Sequence, residues 1–141
     1  MPLKTSSIAL VDTSALLALA VPRDQRHAEA VTIAREFLGR GGRLVGTTLV
    51  LGEFHVLVLQ RRGPETARTA LARLLADPAY HWMGVTPDLV REALGAWLGR
   101  FQDQRFSLAD AVSFEVMRRE KIAAAFAFDQ DFATAGFELL R

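Results

Sequence analysis

Short apolar, β-branched runs alternate with longer stretches of helical periodicity along this chain, and that alternation narrows the fold more than any other feature. Ile8-Ala9-Leu10-Val11, Leu44-Val45-Gly46 and residues 80–85 and 122–128 have the length and composition of buried strands. Between them the helix signals are regular. Asp12-Thr13-Ser14 can cap an apolar helix over 15–21 that Pro22 stops, and Asp24 can cap a second that ends at Gly39 and Gly41-Gly42. Thr47 or Thr48 opens a helix through Gln60, Gly63-Pro64 one over 65–76, Thr86-Pro87 one to about residue 101, and Ser107 one to about residue 120. A single turn to Gly136 then leads to a short edge strand at 137–140. The pattern predicts a single α/β domain over residues 1–141, with a mostly parallel sheet of four to five short strands flanked by helices. Ligands of such a sheet bind in the crevice outside the carboxyl ends of the strands.

Composition removes several function classes. Half of the 141 residues are hydrophobic, enough to bury a sizeable core, and the absence of cysteine excludes a disulfide framework, a zinc ribbon and a thiol nucleophile. Seventeen Lys and Arg against sixteen Asp and Glu give no sign of a strongly basic nucleic-acid coat. Lys4 followed by the apolar run ending Ala18-Leu19-Ala20 imitates a signal peptide, but Asp12 in its middle speaks against one. No other stretch approaches the ~18 apolar residues of a membrane span, so the chain is expected to be soluble and cytoplasmic.

Four acids stand where a purely structural reading is strained. Asp12 ends the first strand, either as the N-cap of the next helix, a role equally open to Thr13 or Ser14, or as a functional carboxylate. The i±3 and i±4 neighbours of Glu53 are Leu49, Val50, Val56 and Leu57, so Glu53 is expected to face inward and to need a cation, an arginine or a metal. Asp110 follows Ser107 by three residues, a capping-box spacing, yet it shares a helical face with Phe114 and Met117 and points toward the core. Asp129 ends the fourth strand as Asp12 ends the first; if the two strands are neighbours, both carboxylates emerge side by side. Asp131 either joins them or caps the following turn.

Carboxylates converging without histidine or cysteine suit a hard, oxygen-loving cation, Mg²⁺ or Mn²⁺, and the main chemistry of such a site is phosphoryl transfer. His55 offers no alternative, because two residues from Glu53 is about 200° round a helix. There is no Gly-x-x-x-x-Gly-Lys loop, and Ser14 occupies the position where a phosphoaspartate phosphatase has its second acid.

Four segments together carry a resemblance: Val11-Asp12-Thr13-Ser14-Ala15-Leu16-Leu17-Ala18-Leu19, Thr48-Leu49-Val50-Leu51-Gly52-Glu53, Phe106-Ser107-Leu108-Ala109-Asp110-Ala111-Val112-Ser113-Phe114, and Phe126-Ala127-Phe128-Asp129-Gln130-Asp131-Phe132 with Gly136-Phe137. In this order they resemble the PIN-domain ribonucleases, most closely the VapC toxins of bacterial toxin–antitoxin pairs, over about residues 8–140. The resemblance implies a Mg²⁺- or Mn²⁺-dependent endonuclease acting on RNA, a homodimer, and an antitoxin partner that blocks the site. It carries the family's acidic quartet onto Asp12, Glu53, Asp110 and Asp129 and matches Ser14 to a small polar position that orients a carboxylate or a water. Ala127 departs from the threonine of many relatives, and Asp131 falls where relatives vary.

Two classes of function follow. In the first, Asp12, Asp110 and Asp129 hold the metal, Glu53 binds a second ion or positions water, and Arg61, Arg62, Arg118 and Arg119 are candidates for phosphate contact. The second is a non-catalytic PIN-like RNA-binding or regulatory module; a housekeeping RNA-processing nuclease is a further variant of the first. With the four acids assigned to one pocket, the seventeen cations outnumber the remaining twelve acids, so a mildly basic surface around a negative cavity is expected.

Overall fold

The computed structural model describes residues 7–141; Lys4, which opens the signal-like run, lies outside the described residues. Five strands, β1 (Ile8–Val11), β2 (Arg43–Thr47), β3 (Tyr80–Met83), β4 (Ala124–Phe126) and β5 (Glu138–Leu139), form one sheet in the order β3-β2-β1-β4-β5. Every neighbouring pair is parallel, so the sheet is wholly rather than mostly parallel. The third and fourth strands are shorter than the apolar runs at 80–85 and 122–128 suggest. The β2–β3 ladder ends at Thr47 opposite Met83 because Thr48 already begins a helix, and the β1–β4 ladder ends at Val11 opposite Phe126, where β1 gives way to the Asp12 cap. A strand stops where its partner stops offering hydrogen bonds.

The helices are α1 (Thr13–Ala20), α2 (His27–Gly39), α3 (Thr48–Arg62), α4 (Pro64–Ala76), α5 (Pro87–Ala93), α6 (Leu108–Glu120) and the single turn α7 (Asp131–Thr134). Most begin at the expected residues. Thr47 caps α3 through the Val50 N–H, Thr86 caps α5 through the Leu89 N–H, and Gly63, at φ 88°, turns the chain so that Pro64 can start α4. Two expectations need correction. Asp24 does not cap α2: its carboxylate accepts the Arg26 N–H at 2.8 Å in a local turn, and the helix begins at His27. The helix expected to run to about residue 101 leaves α-geometry at Leu94 and continues to Gly99 as a π-helical segment, which aims Trp97 at α6.

Alternation along the strands divides the core into two. Ala9, Val11, Leu44 and Phe126 face α1 to α4, whereas Leu10, Val45 and Ala125 face α5, the π segment and α6. Phe37 and Phe54 fill the first layer, and Phe114 and Phe132 the second, each fully buried and worth roughly 1.5–3 kcal/mol of transfer free energy. From β1 the chain proceeds to β2 and β3 on one side, then returns to β4 and β5 on the other. The carboxyl ends of β1 and β4 therefore flank a topological switch point, the position at which open α/β sheets form a crevice.

Candidate active site

A cavity of about 770 Å³ opens at that switch point, and Asp12, Glu53, Asp110 and Asp129 all line it. Each arrives on a different element. The Asp12 N–H continues the sheet by donating to the Phe126 carbonyl at 3.0 Å, which sets the residue beside the end of β4. Its carboxylate caps α1, accepting the Ser14 N–H at 3.2 Å and the Ser14 hydroxyl at 2.7 Å on the same oxygen, Oδ2. The capping role and the cavity-facing role coexist. Asp110 repeats this economy: it forms the capping box of α6, with the Ser107 N–H donating to Oδ2 and the Asp110 N–H donating to the Ser107 hydroxyl, both at 3.1 Å. Asp129 follows β4 by three residues, and its Oδ1 accepts the Asp131 N–H at 3.1 Å.

Glu53 is placed differently from its expected inward position. It is half-buried on the cavity wall, its neighbour Val56 is 47% exposed, and its Oε1 accepts the Thr13 hydroxyl at 2.8 Å. The apolar neighbours of Glu53 are thus divided: Val50 is fully buried in the core, whereas Leu49, Val56 and Leu57 line the cavity. Among the described residues no lysine, arginine or histidine forms an ion pair with any of the four acids.

The electrostatic consequence is large. Burial raises Asp12 above the ordinary carboxylate range, and the charge of Asp110 adds to it. Burial, then the charges of Asp129, Asp131 and Glu53, push Asp110 up to about 6; burial, then the charge of and a hydrogen bond with Asp12, push Asp129 up to about 7. Carboxyl groups so desolvated and crowded favour a bound proton or a bound cation. Their all-oxygen donor set fits Mg²⁺ or Mn²⁺, although among the described residues no three acids already converge into a ready-made cage.

Other residues fall inside or outside this site for clear reasons. Ser14 lines the cavity and also accepts the Phe128 N–H at 3.0 Å, so one hydroxyl orients Asp12 and fastens the strand that carries Asp129. Asp131 begins α7 behind Asp129 and acts on the site through its charge. His55 does not line the cavity. Arg118 and Arg119 do not line the cavity; both bind Glu115, a fully buried acid that the sequence reading did not single out and that also accepts the Trp97 indole N–H at 3.1 Å. The arginines three and four residues after Glu115 were the available signal. The contribution of Thr13 as the donor to Glu53 was likewise not legible, since it spans two helices.

An all-parallel sheet with acids gathered at its switch point is the architecture of a PIN domain, and the chain belongs to that family, matching it over residues 9–138. It is 37% identical over 131 residues to the 23S rRNA-specific endonuclease VapC20 of Mycobacterium tuberculosis, found under that name in two strains, with 93% of this chain and 96% of the relative aligned. The crystal structure of M. tuberculosis VapC20, described as a sarcin–ricin loop cleaving toxin, matches with a TM-score of 0.82 at 36% identity, covering 93% of this chain and 96% of that one.

Proposed function

We propose that this protein is a divalent-metal-dependent endoribonuclease, the toxin of a toxin–antitoxin pair, and that its substrate is a structured loop of ribosomal RNA. The observation that carries the reading is the meeting of four carboxylates from four elements around one cavity, with no ion pair to any of them among the described residues. Near-full-length similarity to VapC20 supports the RNA and toxin assignments.

In this reading Asp12, Asp110 and Asp129 hold Mg²⁺ or Mn²⁺, and Glu53 holds a second ion or orients the attacking water. The bound metal supplies charge neutralisation at the phosphate and acidifies water. The chain's own residues do the rest. Ser14 and the capping box keep Asp12 and Asp110 in single orientations, as preorganisation requires. Thr13 donates to Oε1 of Glu53, leaving the other oxygen to hold the second ion or to accept a hydrogen bond from the attacking water. Water attack leaves a 5′-phosphate and a 3′-hydroxyl, and needs no substrate 2′-hydroxyl.

No helix among the described residues is long and apolar enough to cross a membrane, in keeping with action in the cytoplasm. A homodimer and a cognate antitoxin, whose arginine can neutralise the carboxylates in the metal's place, complete the proposal. The test is cleavage of a sarcin–ricin loop hairpin and of total RNA with Mg²⁺, Mn²⁺ or EDTA, alongside a calorimetric Mn²⁺ titration. Metal-dependent cleavage with 5′-phosphate ends is expected. Undiminished cleavage in EDTA overturns the mechanism, and neither binding nor cleavage at millimolar Mn²⁺ favours a non-catalytic RNA-binding module.

A further inference from the structure

The acids occupy only part of the cavity; the wall along α3 is apolar, formed by Leu49, Val56 and Leu57 with Leu17 of α1 beside them. In the middle of that wall α3 carries Gly52, three residues after Leu49 and four before Val56; among the described residues the other α-helical glycine, Gly39, is the last residue of its helix. A helical glycine is unfavourable relative to alanine. Nothing among the described residues explains it: a Cβ built at Gly52 meets none of their atoms within 4 Å, and the residue is exposed. The backbone is in ordinary helical geometry, so the glycine answers neither a packing nor a conformational need of the chain itself. What it creates is a notch between two aliphatic side chains, next to Glu53 and opening into the cavity.

We propose that this notch is the seat of a nucleobase adjoining the scissile phosphate, with Gly52 as a specificity-determining residue that lets the ring lie against the helix. The inference rests on the reading that RNA is cleaved at the four carboxylates. A phosphate brought to the four carboxylates through a bound metal ion would leave its attached nucleotides beside α3, and a loop nucleotide must leave its stack to bring the scissile bond to the site. An apolar slot compensates for that lost stacking, and exposed Val56 and the bare backbone at Gly52 supply one. The flat, apolar faces of a base fit the slot; a phosphate or a metal ion has no partner there.

The experiment pairs two variants with two substrates. Gly52→Ala should raise the thermal midpoint by about 3 °C, because it removes a helix-breaking residue without a clash. It should nevertheless lower kcat/KM on the sarcin–ricin loop hairpin about tenfold, and Gly52→Leu should lower it about a hundredfold. Hairpins with an abasic ribose on either side of the scissile bond should cost the wild type about tenfold at one of the two positions, and that cost should vanish in Gly52→Leu. Full activity of Gly52→Leu overturns the seat, as does an abasic substrate cleaved normally at both positions. So does a loss of activity that tracks a halving of solution mass, which would assign the notch to a second copy of the chain. Asp12→Asn separates the two readings. If it cleaves normally, the placement of cleavage at the acids fails; if it is inactive while Gly52 variants behave as wild type, only the seat fails.

Discussion

Ser14 and Phe128, 114 residues apart in sequence, are joined by a 3.0 Å hydrogen bond in which the Phe128 N–H donates to the serine hydroxyl. Because that hydroxyl donates in turn to Asp12 at 2.7 Å, the first turn of α1, the Asp12 carboxylate and the segment leading from β4 to Asp129 form one connected unit. Ser14→Ala removes both bonds but leaves the Asp12 N-cap through the residue-14 N–H. The expected cost is about 1–2 kcal/mol in thermal or urea unfolding. Cleavage should fall further than this in proportion, mainly in kcat, since the reacting groups lose their common anchor.

Asp129→Asn should behave in the opposite way on stability. The carboxyl sits among Asp12, Asp110 and Asp131 and forms no ion pair among the described residues, so removing its charge relieves repulsion. In metal-free buffer its thermal midpoint should equal or exceed that of wild type, while cleavage falls at least about a hundredfold. A variant that is both less stable and less active would point to a structural role for this acid.

Glu115 gives a pH prediction remote from the cavity. Hydrogen bonds from Arg118, then those from Arg119 and Trp97, hold its carboxyl at about 2 against an ordinary value of 4.5. The folded protein therefore binds fewer protons than the unfolded chain between these values, and the stabilisation is complete above about pH 4.5 and lost as the pH falls toward 2. Glu115→Gln should cost about 2 kcal/mol at neutral pH, because hydrogen bonds to a charged group are replaced by weaker ones and the guanidiniums remain in contact with water. The difference between wild type and variant, followed by urea unfolding, should shrink steadily below pH 4.5.

Gly46 is the counterpart of Gly52. In β2 a methyl group at this position would clash with the edge of the Trp82 ring and lie 3.1 Å from Val11. Gly46→Ala should thus destabilise the protein by about 1–3 kcal/mol through overpacking, whereas Gly52→Ala stabilises it. Parallel thermal melts of the two variants distinguish a glycine required by packing from one that packing does not need.

The sequence by itself determined the alternation of strands and helices, most of the helix starts, and the identity of the acids that came to line the cavity. Those signals are local: the apolar period of a helix, a Thr47 or Ser107 cap and a Gly63-Pro64 break are complete within a few residues. Only the tertiary structure decided that β1 lies beside β4, the pairing that brings Asp12 next to Asp129, because strand neighbours are chosen by hydrogen bonds between segments remote in sequence. It likewise shortened β3 and β4 to the length of their partners, opened the Glu53 face of α3 to the cavity, and committed Arg118 and Arg119 to buried Glu115. A helical period tells which residues share a face but not whether that face meets another element, water or a cavity, and this chain's site is built on that difference.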